Sequence, residues 1–158
     1  MKGWRVCELD QKCAAYASEQ ALVDAFSEAL TASIDPWGGL LDHAHEFFYQ
    51  RGRTDIVALS PEGKVFAFEA KLRDWKEALH QAYRNTCFAH ESYILLPCYV
   101  ASRVVQWEVE FSRRGIGVCT LEDGAVKILH PAKKVEPLQP WLSQRALAHI
   151  SRPTDAEC

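Results

Sequence analysis

The sequence predicts an α/β domain built on a central mixed β-sheet flanked by helices. Three observations carry this reading. Apolar residues recur at helical spacing in residues 18–32 and 74–86. Short runs rich in aliphatic and aromatic residues (54–59, 65–72, 92–96) are too brief for helices and are bounded by turn residues. The two kinds of segment alternate along the chain, which favours helices packed on both sides of one sheet. At 158 residues, 48% hydrophobic and 25% charged, the chain supports one core and is too short for two. Residues 1–130 are expected to form the domain, with 131–158 a linker and a helix packing back onto it.

The first helix is expected over residues 18–32, where Leu22, Ala25, Phe26, Ala29 and Leu30 share a stripe, Ser18 is placed as N-cap and Glu19 lies in the first turn. Asp35-Pro36-Trp37-Gly38-Gly39 ends it. A strand comes next over 45–50, then two more, Thr54–Leu59 and Val65–Leu72, joined by the hairpin turn Ser60-Pro61-Glu62-Gly63-Lys64. Asp74, with Glu77 three residues on, has the capping-box spacing for a helix whose inward face carries Trp75, Ala78, Leu79, Ala82, Tyr83 and Thr86. Ser92–Leu96 reads as a strand and Ser102–Arg114 as a helix closed by Gly115. Ile116–Leu121 and Ala125–Leu129 are strands around Glu122-Asp123-Gly124. A proline-bounded linker, 131–140, leads to a terminal helix over 141–150. The expected order is α-β-β-β-α-β-α-β-β-α.

Composition excludes several classes. The aromatic and aliphatic content rules out a disordered chain. The longest apolar run, Tyr93–Ala101, is too short to span a bilayer and contains Pro97. The first residues lack the apolar core of a signal peptide. The six cysteines show no CxxC pair, and Cys7, Cys13, Cys87, Cys98 and Cys119 lie mostly in apolar stretches. They read as reduced core thiols, and the protein as cytoplasmic. With 18 basic and 21 acidic residues, net charge carries no general mark of nucleic-acid binding. There is no glycine-rich phosphate loop and no nucleophile elbow.

The informative segment is the hairpin. Its turn is nearly symmetric about Glu62, so Leu59 is expected opposite Val65, Val57 opposite Ala67, and Asp55 opposite Glu69. By alternation Glu69 and Lys71 point to the same face as Asp55. Carboxylates facing each other at about 5 Å repel by roughly 3 kcal/mol at an effective dielectric near 20. A divalent cation gives a reason for the arrangement, because two hard oxygen ligands completed by waters and substrate phosphate is a usual way to hold Mg²⁺. Lys71 adds a positive charge suited to a phosphate in transition or to an attacking water. The bland alternative is an ion-paired strand end in which Lys71 neutralises one acid.

These residues (Thr54-Asp55-Ile56-Val57, Phe68-Glu69-Ala70-Lys71 and the helix Trp75–Asn85) resemble the PD-(D/E)XK nuclease superfamily, whose restriction-endonuclease-like core has the order α-β-β-β-α-β. Residues 18–97 match that order closely, and the likeness continues loosely to residue 130. Thr54 stands where the family signature is named for a proline. The resemblance implies that Asp55 and Glu69 are metal ligands, Lys71 the catalytic lysine, and Glu19 the extra acid that many members use. It implies Mg²⁺ as cofactor, with Mn²⁺ as substitute, and hydrolysis of DNA phosphodiesters, RNA being left open. The competing expectation is the same fold used without cleavage, as a DNA-binding or protein-interaction module. So small a chain points to a homodimer or to a partner protein supplying specificity.

Residues 51–86 hold seven basic side chains against five acidic, and Arg51 and Arg53, at the Asp55 end of the strand, are placed to hold a phosphate backbone. Gln81 occupies a helix where relatives often carry a cleft glutamine, although its helical angle also suits a solvated position. His43 and His45, two residues apart on a strand, share a face as transition-metal ligands do, without a third or fourth ligand at sensible spacing. Trp107 and Trp141 read as core or interface residues.

Overall fold

A computed structural model of the chain describes residues 14–40, 42–50 and 52–152. Helix α1 (Glu19–Thr31) starts where expected: Ser18 has extended backbone and its Oγ accepts the Ala21 N–H at 3.0 Å. Strands β1 (Asp42–Tyr49), β2 (Gly52–Leu59) and β3 (Val65–Ala70) form an antiparallel meander. Helix α2 (Trp75–Asn85), capped by the Asp74 carboxylate on the Glu77 N–H at 3.1 Å, crosses over to β4 (Glu91–Leu95), which pairs parallel to β3. Helices α3 (Cys98–Val104) and α4 (Glu108–Arg114) lead to β5 (Gly117–Glu122), parallel to β4, and β6 (Ala125–His130) closes the edge antiparallel to β5. Helix α5 (Pro140–Ile150) comes last. Among the described residues the sheet has six strands in sequence order and is mixed, because β4 pairs parallel to β3 and β5, and its first half carries the expected α-β-β-β-α-β succession.

Period-two alternation divides the buried side chains between two faces. On one, Ile56, Ala58, Phe66, Phe68, Tyr93 and Leu95 pack against Leu22, Phe26 and Leu30 of α1. On the other, Val57, Val65 and Ala67 meet Leu142, Ala146 and Ile150 of α5, while Ile94, Leu96 and Val118 meet Ala78, Ala82, Ala101, Val104 and Phe111 of α2, α3 and α4. The central strands are apolar on both faces because both faces are covered.

Three details differ from expectation. The helix expected over 102–114 begins at Cys98, because Pro97 fits a helix start but not an interior, and a 3₁₀ turn at Val105–Trp107 divides it within the β-branched pair Val104-Val105. Gly115 closes it in the left-handed region at φ +73°. Cys87 and Cys119 are free and buried, but Cys98 is disulfide-bonded. That corrects the reading of all the cysteines as reduced thiols, so cysteine usage no longer argues for a reducing compartment. No helix among the described residues is long and apolar enough to cross a membrane.

Gly117 marks a close approach between sheet and linker. A Cβ there would lie 2.4 Å from the Tyr93 ring and 2.7 Å from the Ala132 nitrogen. Gly117→Ala is expected to lower stability by about 1–3 kcal/mol through overpacking, read from the urea midpoint.

Candidate functional site

The β2–β3 register is the one the turn symmetry predicts: Leu59 faces Val65, Val57 faces Ala67, and the last ladder pair is Ile56 with Phe68. One step further, at Asp55 and Glu69, side chains replace the backbone ladder. The Asp55 carboxylate accepts the Ala70 N–H at 2.8 Å, and a Glu69 carboxyl oxygen accepts the Asp55 N–H at 3.4 Å. The strands fork here, and the two acids fill the fork.

A change of face in β1 and β2 accompanies the fork. His45 points its Nε2 at Ser27 of α1 (2.8 Å), whereas Phe47, two residues on, packs against Phe88 on the opposite face. Ile56 likewise belongs to the α1 side, whereas the Thr54 hydroxyl reaches Asn85 of α2 at 2.9 Å. Between them stands Glu46 with φ +52°, a left-handed backbone unusual for a residue with a side chain. The ring of His149 donates to the His45 carbonyl at 2.7 Å and braces the irregular segment. Simple alternation therefore fails at this level. Asp55 lines a cavity of about 390 Å³ under α1, shared with Glu19, His45, Glu46 and Arg53, while Glu69 is held from the α2 side. The expectation that Asp55, Glu69 and Lys71 lie on one common face is corrected: Asp55 and Glu69 approach each other from the α1 and α2 sides where the strands part.

Glu69 is 1% exposed. Burial, and after it the charge of Asp55, pushes its carboxyl up to about 8, against a smaller opposing effect of the Asn85 amide, which donates to the second Glu69 oxygen at 3.0 Å. Motif and spacing alone do not single out Asn85. Its amide oxygen also accepts the Tyr49 hydroxyl at 2.7 Å and the Thr54 hydroxyl at 2.9 Å, so one side chain of α2 ties three strands together. A signal existed: Asn85 continues the inward stripe of α2 after Ala78 and Ala82, where a polar residue needs a partner.

Lys71 lies at the same end of β3, with its ammonium 3.7 Å from both Glu19 and Glu77. The bland alternative, Lys71 neutralising Asp55 or Glu69, is thus not the arrangement found among the ion pairs. The structure brings Glu19 to Lys71 and adds Glu77, a residue the sequence marked only as part of a helix cap. Gln81 is half-buried and donates to Glu77 at 3.4 Å. Arg53 is drawn to Glu46 and Asp55, each at 3.5 Å, rather than standing free for a phosphate. Arg51 lies outside the described residues. His43 and His45 both direct Nε2 at the Ser27 hydroxyl, at 2.5 and 2.8 Å. Among the described residues, no group of three or more His, Cys, Asp or Glu side chains is gathered to hold a metal ion.

No family model and no curated protein matches the chain. Solved structures do. SPO1766, a protein of unknown function from Silicibacter pomeroyi, superposes with a TM-score of 0.60 at 14% identity, covering 87% of this chain and 86% of that one. The likeness is one of fold. A repair endonuclease from Pyrococcus abyssi gives a TM-score of 0.47 at 14% identity, over 69% of this chain and 49% of its own. SfsA from Pyrococcus furiosus, solved in complex with Ca²⁺, gives 0.43 at 11% identity, over 72% and 64%.

This geometry has two measurable outcomes. In the metal-free protein the unfolded chain ionises residue 69 near its ordinary 4.5, whereas the folded one holds the proton to about 8. The contribution of this group to stability is therefore full below the lower value and is lost as pH rises through the window to the upper one. Urea midpoints measured across that window should show the decline, and Glu69→Gln should remove it. Asn85→Ala is expected to cost about 1–3 kcal/mol, because it strands the buried Tyr49, Thr54 and Glu69 groups.

Proposed function

We propose that the protein is a divalent-metal-dependent nuclease of the PD-(D/E)XK type that hydrolyses phosphodiester bonds of DNA. The observation that carries this reading is the carboxyl pair in the fork, pressed together so that burial and the neighbouring charge raise the pKa of the buried member. Two like acids side by side, one of them buried, favour a cation between them, and among the described ion pairs only Arg53 reaches either of them. Hard carboxylate oxygens suit Mg²⁺ or Mn²⁺, with waters and substrate phosphate completing the shell. Asp55 and Glu69 would hold the ion. A metal bound there supplies Lewis acidity, lowering the pKa of a water and offsetting charge on phosphate oxygens.

The chain's own groups do the rest. Asn85 fixes Glu69 from behind, and the Ala70 N–H fixes Asp55, so neither acid reorganises to receive charge. Glu19 and Glu77 hold the Lys71 ammonium from two helices, which positions it to stabilise charge developing on the phosphoryl oxygens. Hydrolysis then joins the water oxygen to phosphorus, breaks one ester P–O bond, and leaves the proton on the departing oxygen. Glu19 acts here as a positioning residue for Lys71. Access to Asp55 requires Arg53 to give up its ion pair, which a phosphate entering the cavity would favour.

A second reading draws on that same Arg53 contact: with Asp55 already partnered, the fold would serve as a DNA-binding or protein-interaction module without cleavage. Calorimetry with Mn²⁺ separates the two, binding that is lost in Asp55→Asn supporting the nuclease. For activity, plasmid or oligonucleotide cleavage with Mg²⁺ or Mn²⁺ is expected for the wild type and to fall by about 100-fold or more in Lys71→Ala, Asp55→Asn and Glu69→Gln. Equal activity in all four proteins would overturn the assignment.

A further inference from the structure

Beyond the fork, α2, α3 and the 3₁₀ turn enclose a groove of about 650 Å³, in the usual range for ligand sites. Its walls include Arg73, Trp75, Tyr99, Arg103, Gln106 and Trp107, and no carboxylate lines it. Among the described residues, Arg53, Lys71, Arg113, Arg114 and Lys127 are all held in ion pairs, whereas Arg73 and Arg103 are in none. Trp75 packs on the buried ring of Phe111 with centroids 5.6 Å apart, and Trp107 stacks on Trp75 at 6.1 Å with an interplanar angle of 26°. Yet Trp107 remains 49% exposed and Tyr99 41%. Trp107 is thus not a core residue: one side of the ring is anchored and half of its surface stays open to water, which leaves the interface alternative.

A rigid, half-open indole beside two uncommitted guanidinium groups is matched to a partner that carries flat apolar faces and regular negative charge together. A single strand of nucleic acid has both, offering bases to stack and phosphates to pair. A duplex hides the base faces. An acidic peptide satisfies the arginines and leaves the rings unused. The groove also adjoins the fork along the chain, since Arg73 lies two residues beyond Lys71 and Trp75 opens the helix whose Glu77 holds that lysine.

We infer that this groove binds a single-stranded stretch of polynucleotide, with bases on Trp107 and Tyr99 and phosphates on Arg73 and Arg103. The inference deepens the nuclease reading, and rests on it, by naming single-stranded or locally unpaired substrate. The test is fluorescence anisotropy of a labelled oligothymidine of about 16 nucleotides with the full chain in EDTA, where cleavage is silent. Trp107→Ala is expected to weaken binding about tenfold and Trp107→Phe to restore most of it. Arg103→Ala, an exposed change that leaves packing alone, should lower affinity and flatten the salt dependence by about one phosphate contact. Unchanged affinity in both Trp107→Ala and Arg103→Ala overturns the proposal. So does equal competition by a duplex of the same length or by oligoglutamate. The two readings fail separately. If the wild type cleaves but groove variants bind normally, the groove assignment falls and the nuclease stands. If groove variants lose binding and no protein cleaves, the groove stands and the nuclease reading falls.

Discussion

The site depends on a ladder that stops. Antiparallel strands normally trade N–H and C=O groups pair by pair, and β2 and β3 do so as far as Ile56 and Phe68. At the next step the Asp55 carboxylate takes the Ala70 N–H, and Glu69 takes the Asp55 N–H. Replacing backbone acceptors with acid side chains satisfies the same donors while letting the strands diverge. It also forces two carboxyl groups into one small volume, one of them buried. The fork, the raised pKa of Glu69 and the opening under α1 are three aspects of one substitution in the hydrogen-bond pattern.

Around this fork the protein builds two kinds of support. Lys71 is gripped from opposite sides by Glu19 of α1 and Glu77 of α2, so the two helical layers meet at one ammonium group. Neither contact is short, and Glu19 and Glu77 are half exposed, so the two pairs add little to the stability of the fold. The second support is the strained turn of β1 at Glu46, which hands the strand from the α1 side to the α5 side and leaves room for the cavity.

Much of this was legible in the residues. The symmetric hairpin turn set the register through Leu59 and Val65, because a tight turn leaves few ways to pair the two strands it joins. Ser18, Asp74 and Gly115 marked helix ends through local chemistry that operates wherever the chain goes. What strict alternation missed was the face change at Glu46 and Asp55, since a single left-handed residue has no periodic signature in a sequence. Asn85 escaped for a related reason: a buried amide reads as a helix end until its partners on three strands are known. Arg53 looked free to meet a phosphate because its neighbour across the ribbon, Glu46, could not be placed before the strand pairing was.

The hub formed by Asn85 carries a consequence for how such a protein changes over time. The amide that orients the deepest acid is also the clasp joining β1, β2 and β3 to the end of α2. Substitution of the acids at the fork would leave that amide still needed for folding, while a change at the amide would disturb the acid and the clasp together. The Asn85–Glu69 contact is therefore the least free to drift, and diversification is channelled to the cavity under α1, where Glu19, Glu46 and Arg53 meet solvent.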